Sequence, residues 1–183
     1  MNKSLKLLLS INSIFVIAAN MLGPLYAVYI RNLGGSIEVV SGTWSVMLFT
    51  TTLVNFVLIR YGDRLKEHEY FLIAGFIFRA IAWIGFTSAS SILTIVILQV
   101  IVGLGEAVGS TGFDAIFAEH LDKASHIRDY AVWKTVSNII AALATFVGGF
   151  IVASYGFKPM FYFMAVIAIG CAIFTYFLPR RAL

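Results

Sequence analysis

Six long apolar stretches separated by short polar breaks constrain this chain more than any other feature. They cover residues 5–30, 37–60, 70–88, 91–118, 130–153 and 159–179. A helix rises about 1.5 Å per residue, so about 20 apolar residues cross the hydrocarbon core of a bilayer. The breaks hold turn formers or charges: Asn32-Leu33-Gly34-Gly35-Ser36, then 63–69, 88–91, 122–129 and 156–159. Charged residues make up only 12% of the chain, against about 25% in an average soluble domain. The sequence therefore predicts an all-α integral membrane protein, a single six-helix domain over residues 1–183, whose first partner is the lipid bilayer.

Cation placement orients it. With the N-terminus inside, the cytoplasmic side holds Lys3, Lys6, Arg60, Arg64, Lys66, Lys123, Arg128, Arg180 and Arg181, and the outer side only Arg31 and Lys158. Positive residues concentrate on cytoplasmic loops, which puts both termini in the cytoplasm. The net charge of +4 thus tracks topology and gives no sign of nucleic-acid binding. Lys3 and Lys6 precede an apolar run as in a signal peptide, but without a small-x-small cleavage site the run reads as a retained first span. Cys171 is the single cysteine, and His68, His120 and His126 have no metal-ligand spacing, so no cofactor, metal or catalytic residue is expected. Gly109-Ser110-Thr111-Gly112 is not a hydrolase elbow and no phosphate-binding loop appears, which argues against an enzyme or a nucleotide-driven pump.

One segment stands out: Gln99–Asp114, QVIVGLGEAVGSTGFD, with Gly103, Gly105, Gly109 and Gly112 thinning the fourth span around Glu106. A charge at the bilayer centre costs at least ~2.5 kcal/mol on insertion scales, so such a residue faces a bundle interior or a wet cavity. At about 100° per residue, Gln99 and Phe113 lie about 20° and Ser110 about 40° from Glu106; Asp114 lies about 80° off. The stripe Gln99–Glu106–Ser110–Phe113 suits a cavity wall, with Asp114 at its edge. Read plainly, it is a packing stripe, with Gly105 and Gly109 allowing close helix approach. Arg79, in the third span, is placed to pair with Glu106 or to reach a headgroup. A paired Glu106 would stay charged and act in gating; an unpaired one would take up protons and suit coupling. Asn20 stands near Gly23-Pro24, where the proline removes a backbone hydrogen bond. Tyr26, Tyr29, Trp83 and Trp133 read as interfacial or packing aromatics, and Lys134 as a residue reaching for water.

The two three-helix units echo each other weakly. A shift of 94 residues lays Tyr61-Gly62 on Tyr155-Gly156 and Arg64 on Lys158, each at the end of its unit's second helix. Three helices per unit would invert the second unit.

Several stretches together resemble the N-terminal six-helix half of the major facilitator superfamily. Gly23-Pro24 is followed by Tyr26, Tyr29 and Leu33-Gly34-Gly35, as in the family's first helix. Asp63-Arg64 match the signature Gly-x-x-x-Asp-Arg-x-Gly-Arg-Arg/Lys, although Ile59 and Lys66 replace its glycines and Glu67 an arginine. Gly103-Leu104-Gly105 is similar to the G-x-G of helix four, with Gln99 where many members have arginine; Arg128 resembles the arginine opening helix five. GGFIVASYGFKPMFYF, residues 148–163, resembles the passage from helix five into six, without the antiporter-type Gly-Pro pair.

The resemblance implies a fold of two inverted three-helix repeats, with helices one and four on a central cavity and Asn20 as a substrate contact. It implies a cytoplasmic gating cluster of Asp63, Arg64, Glu119 and Arg128. Family members have two such halves, so it also implies a homodimer moving small organic solutes by alternating access, ion- or proton-coupled through Glu106, in a plasma or bacterial inner membrane. The competing expectation is a non-transporting six-helix scaffold, or a half-domain of a longer transporter.

Overall fold

The computed structural model describes residues 3–62, 67–121 and 126–178, and within them the chain is helical almost throughout. The helices are α1 Lys3–Met21, α2 Leu25–Asn32, α3 Ile37–Tyr61, α4 His68–Phe86, α5 Ile92–Glu119, α6 His126–Tyr155 and α7 Phe157–Phe177. Six of them are long and apolar enough to cross a membrane; α2 is not.

The expected first span, 5–30, is a broken helix rather than a continuous one. Pro24 has no N–H to give the preceding turn and its ring crowds that turn's carbonyl, so α1 stops at Met21. Helical bonding resumes with the Tyr26 amide donating to the carbonyls of Leu22 (2.9 Å) and Gly23 (3.2 Å). The sixth span begins earlier than the expected 159. Lys158 and Pro159 lie in the first turn of α7, where a missing N–H leaves no intrahelical bond unmade. Only Gly156 separates α6 from α7. Its φ of 83° lies in the left-handed region that glycine enters without a Cβ penalty.

Packing follows an arc: α3 lies on α5, α5 on α4, α4 on α7, α7 on α1, and α1 on α6. Exchanging the unit α1–α4 with the unit α5–α7 maps these contacts onto one another, which is the inverted repeat in physical form. Two hydrogen bonds carry it to the level of atoms. Thr51 Oγ1 of α3 donates to the Gly103 carbonyl of α5 at 3.2 Å, and Thr145 Oγ1 of α6 donates to the Asn20 carbonyl of α1 at 3.0 Å. Thr51 and Thr145 stand 94 residues apart, the offset that also relates Tyr61 to Tyr155. Each threonine ties the second helix of one unit to the first helix of the other.

The two ends of the bundle are closed differently. At the end away from the termini, the Tyr29 hydroxyl donates to the Phe86 carbonyl at 2.7 Å, while its ring packs against Phe86, Phe157 and Phe161. At the termini end, Phe113 stacks with Phe117 and meets Trp133, and Phe117 meets Tyr130 edge-on, joining α5 to α6. Tyr26, Tyr29, Trp83 and Trp133 are all buried, so they are packing aromatics rather than an interfacial belt.

Between α4 and α5 the backbones touch. A Cβ on Gly75 would stand 2.8 Å from the Gly109 nitrogen and 3.0 Å from the Gly105 carbonyl oxygen. Such approach lets dispersion and backbone contacts substitute for a hydrophobic drive that lipid cannot supply. Gly75→Val and Gly109→Val are each expected to cost at least the ~1–3 kcal/mol of an overpacked core. Gly149→Ala and Gly170→Ala, helical positions that meet open space, should be neutral or stabilise by up to about 1 kcal/mol. Denaturant titration of the purified protein in mixed micelles distinguishes the two pairs.

Candidate functional site

The glycine contact between α4 and α5 has a chemical consequence. Arg79 leaves α4 and runs across the bare surface of α5. A Cβ at Gly105 would lie 3.0 Å from Arg79 Cγ, and one at Gly109 would lie 3.1 Å from its Nη1. Its guanidinium Nη2 donates to Glu106 Oε2, and its Cζ sits 4.9 Å from the centre of the Phe15 ring on α1. The cation therefore has a carboxylate on one side and an aromatic face beside it, both favourable in a low-dielectric setting. Exposure differs sharply between the partners: Arg79 is 7% exposed, whereas the Glu106 side chain is 46% exposed. Arg79 is the anchored member and Glu106 the accessible one.

The stripe drawn from helical angles is divided by its neighbours. Ser110 is half-buried and donates to the Glu106 carbonyl at 2.6 Å, one turn back along its own helix. Phe113 is buried in the aromatic stack with Phe117 and Trp133, a packing role rather than a cavity wall. Gln99 is 2% exposed and lies against the Tyr26 hydroxyl, which itself donates to Thr43 Oγ1 at 2.6 Å. These three join α2, α3 and α5 at the far end. Of the four stripe residues, Glu106 and Ser110 alone keep appreciable accessible surface.

Asp114 is exposed, and the charges of Lys134 on α6 and of Glu106 act on it. Lys134 is exposed as well, with exposed Asn138 one turn along α6. The sequence alone assigned Lys134 to water; its charge relation to Asp114 depends on how α5 and α6 meet, which no local signal carries. Asn20, half-buried, donates from Nδ2 to the Val16 carbonyl at 2.9 Å within its own helix.

At the termini end Glu119 pairs with His68 Nδ1 at 2.9 Å. Asp63 and Arg64, the other expected members of the gating cluster, lie outside the described residues. Arg128 is exposed in the first turn of α6, and the neighbouring Asp129 is buried at 5%. Asp129 was not singled out from sequence, because a carboxylate beside a loop reads as solvated.

The geometry gives a direct energetic test. Removing one partner of a buried ion pair costs about 3–5 kcal/mol, and less where the survivor is half in contact with solvent. Arg79→Ala should therefore destabilise by roughly 1–3 kcal/mol, and Arg79→Ala combined with Glu106→Ala by less than the sum of the single changes. A double-mutant cycle from denaturant titrations reads the coupling; additive losses would mean that the contact contributes nothing.

A family model described as Major Facilitator Superfamily matches residues 8–183. The multi-drug resistance efflux pump PmrA of Streptococcus pneumoniae serotype 4 is 26% identical over 158 residues, covering 84% of this chain and 39% of the pump. The pump of the same name from Streptococcus pneumoniae strain R6 has the same identity and coverage. An uncharacterized MFS-type transporter, YitZ of Bacillus subtilis strain 168, is 23% identical over 153 residues, covering 82% of this chain and 91% of that protein. The chain thus spans well under half the length of the efflux pumps it matches and nearly the whole of YitZ. With a family model matched along almost its entire length and six membrane-length helices packed as an inverted repeat, this integral, multi-pass membrane protein belongs to the Major Facilitator Superfamily of transporters.

Proposed function

We propose that the protein is a secondary active transporter of small organic solutes, working by alternating access with two copies of the six-helix unit around one cavity. The observation that carries this reading is the set of polar side chains left accessible on membrane-length helices: Glu106, Asp114, Lys134 and Asn138. Ionisable groups at bilayer depth are tolerated in a bundle interior or a water-filled cavity, not against acyl chains. A second six-helix unit facing this surface would enclose them. A chain of six spans returns to its starting side, so two copies can stand side by side in the same orientation about a two-fold axis. Glu106 is paired with Arg79, the arrangement expected above for gating; because it also stays accessible, in this scheme it takes up a proton or a cation by breaking that pair, which joins coupling to gating. The name of the PmrA relatives, multi-drug resistance efflux pumps, supports drugs as the solute class.

A second reading draws on the 39% coverage of those relatives: six such helices can also serve as one half of a longer transporter. Stoichiometry separates the two. Reconstituted protein is expected to form dimers in lipid and to move ethidium along an imposed pH gradient. Glu106→Gln should lower gradient-driven flux at least tenfold while leaving exchange at equal pH in place. Single-molecule subunit counting in the same vesicles checks the partner. A strict monomer without flux for ethidium or a wider solute panel would overturn the proposal in favour of a half-domain or a scaffold.

A further inference from the structure

One polar atom in the bundle is out of balance. Asn55 Oδ1, on α3, is closed to solvent and accepts no hydrogen bond among the described residues. Buried amide oxygens are normally partnered, and an orphan calls for a physical reason. Its place in the fold supplies one. Thr51, one turn before Asn55 on the same face of α3, donates to the Gly103 carbonyl of α5. The two helices run in the same direction, so Asn55 stands one turn beyond Thr51, level with the turn of α5 that follows Gly103 and contains Glu106. Ser110 spends its one hydroxyl proton on the Glu106 carbonyl. The Glu106 carboxylate, engaged by Arg79, has no proton to give.

Glu106 sits between two faces of its helix. Gly109, against Arg79, lies about 60° to one side, and Gly103, against α3, lies about 60° to the other. We propose that Asn55 is a positioning residue for proton coupling: on taking up a proton, the Glu106 carboxyl leaves Arg79, turns toward α3 and donates its new O–H to Asn55 Oδ1. This deepens the reading of Glu106 as the coupling group and rests on it. One proton from solvent forms the O–H bond, and the ion pair with Arg79 is lost. Arg79 keeps the Phe15 ring but becomes a buried cation without its counter-charge, which disfavours this packing of α4 on α5. Proton uptake is thereby converted into a bias on conformation. The charged groups that act on Glu106 are Arg79 from α4 and Asp114 on its own helix, and Lys134 of α6 acts in turn on Asp114. Between Glu38 and Arg60, α3 carries no charge, and between Lys6 and Met21 neither does α1.

The test needs no substrate. Infrared titration of the full chain in lipid follows the protonated-carboxyl band that Glu106→Gln removes. A hydrogen bond to the neutral acid favours protonation. Asn55→Leu is therefore expected to lower the midpoint of that band by about one pH unit, a tenfold loss of proton affinity. Asn55→Gln, which keeps an amide acceptor, should restore at least half of the shift. Should Asn55→Leu fail to accumulate as folded protein, Asn55→Ala gives the same reading with less bulk. An unchanged midpoint in a folded acceptor-free variant overturns the assignment, as does a band that Glu106→Gln leaves in place. Ethidium flux separates the two levels. If wild-type transport is lost in Glu106→Gln while the Asn55 variants titrate normally, the transporter reading stands and the role of Asn55 falls.

Discussion

The ion pair between Arg79 and Glu106 is possible because α5 presents no side chains where Arg79 crosses it. Each charge alone would cost several kcal/mol in a dry interior. Gly105 and Gly109 supply the slot, Gly75 brings α4 close enough to use it, and Phe15 offers an aromatic face to the same guanidinium. Packing and electrostatics are therefore one arrangement here. The small residues that let two backbones touch are also the ones that let a cation pass from one helix to the accessible face of the next.

Around that core the bundle is assembled twice over by the same logic. Thr51 and Thr145 make equivalent bonds to the first helix of the opposite unit, and close backbone approach accompanies each. Gly103 lies against the Met47 carbonyl, and Gly148 against the Met21 carbonyl. In the first case the glycine belongs to the first helix of its unit, in the second to the second helix. The repeat therefore conserves a contact geometry while exchanging which partner supplies the room. Arg79 has no such equivalent: α7 meets α1 through apolar residues and the Cys171 thiol, 3.7 Å from the Ile11 carbonyl. The ion pair joins α4 of one unit to α5 of the other, whereas the two-fold equivalent contact, α7 on α1, carries no charge along residues 7–21 and 159–177.

The fold was largely legible in the sequence because a bilayer removes alternatives. Every backbone polar group at membrane depth must be satisfied within its own segment, so six apolar stretches can only be six helices. Glycine spacing and a lone carboxylate pointed to Glu106 for the same reason, since both are costly or pointless on a lipid-facing helix. Helical angles were less informative about neighbours. They put Gln99 and Phe113 on one stripe with Glu106, yet one is enclosed by Tyr26 and Thr43 and the other by Phe117 and Trp133.

By itself, then, the sequence determined the solvent of this protein, the number of its spans and the residue most out of place in them, since hydropathy and charge are local properties of a segment. The tertiary structure decided which charges meet and which polar atoms go unmet. Arg79 on Glu106, the charge of Lys134 acting on Asp114 and the orphaned oxygen of Asn55 all depend on the approach and crossing of different helices. That approach is set by the shapes of surfaces that lie far apart along the chain, and no periodicity within one helix encodes it.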